Sequence, residues 1–155
     1  MNPALRFVVM YGYRTKLIEG VDVRASVPRR WAAQVEGATI KAWRPCLTVF
    51  CSEPRPFMRL KVGKDVKDVA VWRGAATDVL REKGFSDPIL HRTQGAEGGI
   101  ECLEAKHGSW PGIWSTCLAV QSGMVATFEG DASGQEDFYL VLQSAKVVRN
   151  GRGGH

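Results

Sequence analysis

GGIECLEAKHGSWPGIWSTCLAVQSGMVATFEGDASGQEDFYLVLQSAKVV, residues 98 to 148, changes its hydrophobic period once along its length. From Ile100 to Lys106, Ile113 to Gln121 and Met124 to Glu129 apolar side chains tend to recur at every second position, which predicts three strands turning back at His107 to Gly112 and at Ser122-Gly123. In the last of them Met124, Ala126 and Phe128 share one face while Val125, Thr127 and Glu129 share the other. After Gly130 the period lengthens. Phe138, Val141, Leu142 and Ala145 stand at i, i+3, i+4 and i+7, one stripe of a helix, and Ser133-x-x-Glu136 has the form of a capping box ahead of it. A meander followed by one amphipathic helix buries that stripe on the sheet, and Lys146 to Arg149 is expected to add a last edge strand.

The chain upstream repeats these two patterns. Val21, Val23, Ala25 and Val27 alternate with Asp22, Arg24 and Ser26, a half-buried strand that Pro28 ends because proline has no N–H for a ladder. Arg29, Arg30 and Trp31 follow in the turn. Strand-like pieces at Ala38 to Trp43, Leu47 to Cys51 and Phe57 to Val62, punctuated by prolines 45, 54 and 56, read as a second meander; in the last, Met58, Leu60 and Val62 oppose Arg59 and Lys61. Between Asp65 and Lys83 the period becomes helical through Val69, Trp72, Ala76, Val79 and Leu80, with Asp65 or Asp68 near the start and Gly84 as a left-handed cap. Ile89 to Thr93 predicts one more strand. Strands grouped into meanders, with two helices to cover them, predict an α+β domain: an antiparallel sheet flanked by helices. Residues 1–20 read as an arm or edge strand, 21–149 as a single domain and 150–155 as a disordered tail.

The 155 residues suffice for one ordinary core, and an apolar fraction of 45% with 24% charged residues is that of a globular domain. The net charge of +5 is unevenly placed: residues 1–64 hold 12 Lys/Arg against 4 Asp/Glu, whereas residues 65–155 hold 9 against 12. Such a field steers acidic partners, whether protein, phosphate backbone or anionic lipid, or else is a solvated basic face. The sequence holds no apolar run long enough for a membrane-spanning helix, and Leu5 to Met10 is too short for the apolar part of a signal peptide.

This layout resembles the PsbP/DcrB-like superfamily, which includes photosystem accessory proteins, bacterial envelope lipoproteins, the Ran-binding Mog proteins and adaptors of type VI secretion. The residues that carry the resemblance are the strand into Val27-Pro28 with Trp31 soon after, the helix from about Val66 to Lys83 followed by Gly84-Phe85, the meander opening at Gly99, and the closing segment Phe138 to Ser144. Arg29 and Arg30 stand where that family often has one glycine. The resemblance implies an αβα sandwich of PsbP-like type without a catalytic centre or cofactor, acting by binding other proteins.

The cysteines are at 46, 51, 102 and 117. A hairpin turning about His107 to Gly112 in one register sets Cys102 directly opposite Cys117, where Cβ atoms roughly 4.5 to 5.5 Å apart can close a cross-strand disulfide; in a register one residue different the sulfurs point to opposite faces. Free buried thiols are the alternative. Cys46 and Cys51 pair only if the chain bends between them. Cys46-x4-Cys51 with Cys102-x4-His107 is the weakest zinc-like spacing, and no metal site is expected. Cys102 or Cys117 with His91 or His107 lacks a readable oxyanion loop or orienting third group, and Glu101 and Glu104 lie on opposite strand faces, so no catalytic set is assigned. The glycines at 98 and 99 and at 151 to 154 lack the strand, loop and helix setting of a phosphate cradle.

Surface contact falls instead to basic and aromatic residues. Arg29, Arg30 and Trp31, then Trp43 and Arg44, interleave the two types in the positive half, and Trp110 sits at the tip of a predicted turn. The expected function is a non-enzymatic protein-binding or accessory domain, related to the cell envelope or to secretion, with an acidic protein as partner. The alternatives are a basic domain that binds nucleic acid or anionic lipid, and a small enzyme or zinc domain using the Cys/His set. Compartment follows redox state: periplasmic or secreted if the disulfides form, cytoplasmic if they do not.

Overall fold

The structure, a computed structural model, describes residues 14–45, 56–62, 69–94, 99–108, 112–121 and 123–148. Its elements in chain order are β1 (Thr15–Glu19), β2 (Val23–Pro28), β3 (Ala32–Glu36), β4 (Thr39–Trp43), β5 (Phe57–Val62), α1 (Val69–Glu82), β6 (Ile89–Gln94), β7 (Gly99–Ala105), β8 (Trp114–Gln121), β9 (Met124–Asp131), α2 (Gln135–Ser144) and β10 (Lys146–Val147). The fold is α+β, with two antiparallel sheets and two helices. One sheet has seven strands in the order β3-β4-β5-β9-β8-β7-β6, and the other three, in the order β1-β2-β10.

Alternation decides the layers. On one face of the large sheet Ile40, Ala42, Met58, Leu60, Met124, Ala126, Phe128, Cys117 and Cys102 are all buried in a single cluster. That cluster is closed from above by Val23, Ala25 and Val27 of β2 and by Phe138, Val141 and Leu142 of α2. The opposite face has a smaller cluster, in which Leu80 of α1 meets Leu103 and Ala105 of β7 beside Trp72, Ala76, Phe85 and Trp114. One helix therefore packs against each face of the large sheet, and the small sheet shares a layer with α2.

Local chemistry explains several boundaries. α1 ends at Gly84, whose φ of 85° is the left-handed conformation expected of it. The amide of Phe85 donates to the Leu80 carbonyl and that of Gly84 to Arg81, the paired bonds of a Schellman motif, with Phe85 packing on the Leu80 cluster. α2 starts differently from the sequence expectation. Asp131, not Ser133, is the capping side chain: its Oδ1 accepts from the Ser133 amide at 2.8 Å, and Ala132–Gly134 forms a 3-10 turn before the α-helix begins. The capping box of Ser133 and Glu136 is not formed because the chain leaves β9 one turn too tightly.

Three further differences have a topological cause. The expectation was one sheet, yet β2 pairs with β1 and β10 in a separate sheet, so Lys146 and Val147 extend β2 at Arg24 and Val23. Ser144 fixes that join, its Oγ accepting from the Ser26 amide at 2.9 Å and donating to the Ser26 carbonyl at 3.2 Å. Trp31, expected at a binding surface, is 2% exposed and belongs to the main core. It follows a turn in which its amide donates to the Pro28 carbonyl, and the turn tucks the indole inward. β3 carries too little alternating apolar character to be read from sequence; it forms because Gly37, at φ 60°, allows a tight hairpin onto β4. The expected strand Leu47 to Cys51 lies outside the described residues.

Gly134 is a packing constraint rather than a conformational one. A Cβ there would lie 2.9 Å from Phe128 Cζ and 2.9 Å from Pro56 Cβ. Gly134→Ala is expected to cost about 1 to 3 kcal/mol, as overpacking of a filled core does, measured by urea unfolding.

Candidate functional site

The face of the large sheet that carries α1 is only partly covered among the described residues. The pairing registers lay its side chains out in rows. One row runs Gln34, Lys41, Arg59, Thr127, Leu118, Glu101, Arg92, and the next runs Glu36, Thr39, Lys61, Val125, Val120. α1 lies over the β7 and β8 end, so the β4, β5 and β9 end stays open. Between them is a groove of about 620 Å³, floored by Leu118, Val120 and Val125 and walled by Trp72. A second hollow of about 510 Å³ adjoins it at Lys41 and Arg59 and reaches Trp43 and Phe57.

Cations dominate the open end. Lys41 stands directly across the strand pair from Arg59, and like charges so placed repel. The structure relieves this in two ways. Lys41 Nζ bonds Glu36 Oε2 at 2.5 Å, and the Arg59 guanidinium lies 4.9 Å above the centre of the Phe57 ring. Phe57 in turn stacks on Trp43, with ring centres 6.4 Å apart. Lys61 makes no ion pair with any described residue. At the covered end the charges are instead matched: Glu101 Oε1 receives Arg73 Nη2 at 2.5 Å and Arg92 Nε at 3.2 Å.

The Lys41 ammonium, by hydrogen bond and then by its charge, holds the Glu36 carboxyl below the usual carboxylate range. A depressed carboxylate contributes stability at neutral pH that is lost as pH falls through its folded pKa. Glu36→Gln should therefore slightly flatten the acid limb of a curve of Tm against pH, and an unchanged limb would show that the pair contributes nothing.

The sulfur chemistry is on the other face. Cys102 pairs with Cys117 in the ladder, and their Sγ atoms are bonded across a Cα separation of 4.0 Å. Both residues are at most 1% exposed. Around the bridge runs a polar chain. The Gln135 amide donates to Ser115 Oγ at 2.5 Å and to Glu104 Oε2 at 2.8 Å, Tyr139 Oη donates to Gln135 Oε1 at 3.2 Å, and His91 Nε2 reaches Glu104 Oε1 at 3.0 Å. His91 and Ser115 sit at opposite ends of this chain, so the imidazole cannot take the hydroxyl proton. Bonded to each other, Cys102 and Cys117 offer no thiolate to a substrate or to zinc. The network's evident task is to seat the first turn of α2 on β7 and β8.

Of the residues expected at the surface, Arg29 and Arg30 are exposed in the turn after β2, and the register of Ala32 against Trp43 sets that turn at the Trp43 end of the sheet. Trp43 and Arg44 are half-buried there, the Arg44 amide donating to the Pro56 carbonyl at 3.1 Å. Trp110, Cys46 and Cys51 lie outside the described residues. Sequence reasoning missed Lys41, Phe57, Arg59 and Lys61 as neighbours. The outward direction of Arg59 and Lys61 was readable from alternation, but their alignment with Lys41 depends on a register set across a long connection. Among the described residues no group of three His, Cys, Asp or Glu side chains could hold a metal ion, and no helix is long and apolar enough to cross a membrane.

No family model matches the chain, and no curated protein matches it. Among solved structures it is similar to LpqN, described as involved in cell envelope biogenesis of Mycobacterium tuberculosis, at 11% identity and a TM-score of 0.44 over 94% of this chain and 96% of that one. It is also similar to a protein from Bacteroides thetaiotaomicron at 13% identity and a TM-score of 0.43, over 90% of this chain and half of that one.

Proposed function

We propose that the chain is a non-enzymatic binding or accessory domain of the PsbP/DcrB-like kind, whose open basic face receives an acidic protein. The observation that carries this reading is the opposition of Lys41 and Arg59 on an uncovered sheet face. A sheet that keeps two cations directly across from each other bears a cost, and a carboxylate docking between them offsets it. Trp43 and Phe57 supply the flat aromatic area that protein interfaces favour, and Arg29, Arg30 and Arg44 extend the positive field along the same end. The buried Cys102–Cys117 bridge supports an oxidising compartment, and with it a role in the cell envelope or in secretion.

The test compares fluorescent polyglutamate with a fluorescent single-stranded oligonucleotide, each titrated at low and physiological salt. Polyglutamate is expected to bind, and Arg59→Glu with Arg44→Glu to weaken it about tenfold, the effect of losing one charge-assisted contact. Tighter binding of the oligonucleotide, falling steeply with salt, would replace this reading with a nucleic-acid one.

A further inference from the structure

The cations at Arg59 and Lys61 do not stand on a flat polar surface. Lys61 is paired across the ladder with Val125, and Val125 with Val120; Arg59 is paired with Thr127, and Thr127 with Leu118. Moving along either row from β5 toward β8, the face changes within two strands from charged to aliphatic, and Leu118 is only 6% exposed. Trp72, projecting from α1, stands over this aliphatic floor as the far wall of the groove. The groove's volume of about 620 Å³ is in the range that holds a single small ligand.

We propose that this groove binds one amphiphilic anion: an elongated apolar chain laid over Val120, Val125 and Leu118 against Trp72, with a carboxylate or phosphate head between Arg59 and Lys61. Charge complementarity selects this occupant. Lys61 has no ion pair among the described residues and Arg59 only the face of Phe57, so both guide an anion without first giving up a partner. A neutral chain would leave those cations unmatched, and a cationic one would be repelled. The acidic neighbours bracket the head position rather than occupy it. Glu36 is held by Lys41, and Glu101 is clamped by Arg73 and Arg92. Thr127, between the two zones, offers a hydroxyl to the head group. The inference does not depend on the acidic protein partner. Lys61 and the aliphatic floor belong to this site alone, whereas Arg44 belongs to the other.

Calorimetric titration of the full chain with dodecanoate and with dodecyl phosphate, each below its micellar concentration, tests it, with dodecyltrimethylammonium as the opposite-charge control. Both anions are expected to bind one to one and at least tenfold more tightly than the cation, and the two head groups rank carboxylate against phosphate as the natural source. Lys61→Glu, at an exposed position that leaves the core untouched, is expected to weaken both anions about tenfold or more, while Arg44→Glu leaves them unchanged. Methyl NMR shifts on wild-type protein should concentrate at Val120, Val125 and Leu118. Equal affinity for the cation, indifference to Lys61→Glu, or shifts centred on another surface would each overturn the proposal. Polyglutamate binding is read in the same samples, so loss of one activity is distinguishable from loss of the other.

Discussion

Phe138→Ala is expected to be the most damaging single substitution in the described core, lowering unfolding stability by about 3 to 5 kcal/mol. The ring is fully buried and lies 5.4 Å from Phe128 and 6.3 Å from Tyr139, centre to centre. Its position makes the cavity hard to close. Above it is the backbone of α2, below it a sheet whose strands cannot shift one at a time, and beside it β2, held by its own ladder. Because interiors are packed to crystal-like density, the deleted ring leaves contacts with nothing to replace them. A loss of that size is a large fraction of the 5 to 15 kcal/mol typical of a domain. Urea denaturation with an unchanged slope is the measurement. A cost below about 1 kcal/mol would mean that α2 is not seated on Phe128 in solution. Leu80→Ala on α1 is expected to cost less, since the cluster it joins has only Leu103 and Ala105 as its other fully buried members.

The double replacement Cys102→Ala with Cys117→Ala is the second large effect. The bridge closes a loop with a sequence separation of 15, for which the chain-entropy account gives about 3 kcal/mol. In a chain of this length that corresponds to a fall in Tm of about 6 to 12 °C. Because both sulfurs are buried, iodoacetamide without reductant should leave Cys102 and Cys117 unlabelled in the folded protein, whereas reduction in denaturant should expose both. A double variant as stable as wild type, or labelling of the native protein, would show that the thiols are free, and would remove the main support for an oxidising compartment.

Most of the architecture could be read from the alternation of side chains. Met58 and Leu60 against Arg59 and Lys61, or Met124, Ala126 and Phe128 against Val125, Thr127 and Glu129, assign faces wherever one face is buried and the other wet. Gly84 announced the end of α1 because a left-handed residue admits few alternatives. The register of Cys102 against Cys117 was one of two that the hairpin allowed. What sequence could not give was the split into two sheets. β2 looks like any half-buried strand, and its choice of β10 rather than β4 as a neighbour depends on where α2 lands, which is a long-range packing outcome. Trp31 illustrates the same limit: two arginines before it suggest a surface, but the turn after Pro28 points the indole inward. The groove was invisible for a related reason, since its cations come from β4 and β5 and its floor from β8 and β9.

The place of β2 has a bearing on how the molecule is made. Val23 to Pro28 emerges early in synthesis, yet the elements that cover and extend it, α2 and β10, are among the last to be made. Until Ser144 can bond Ser26 and Lys146 can pair with Arg24, an almost fully apolar strand face has no permanent cover. Contacts this distant in sequence close slowly and only on a finished chain. The nascent polypeptide thus completes its core after release rather than during elongation, and while it waits it depends on whatever shields exposed strands from aggregation.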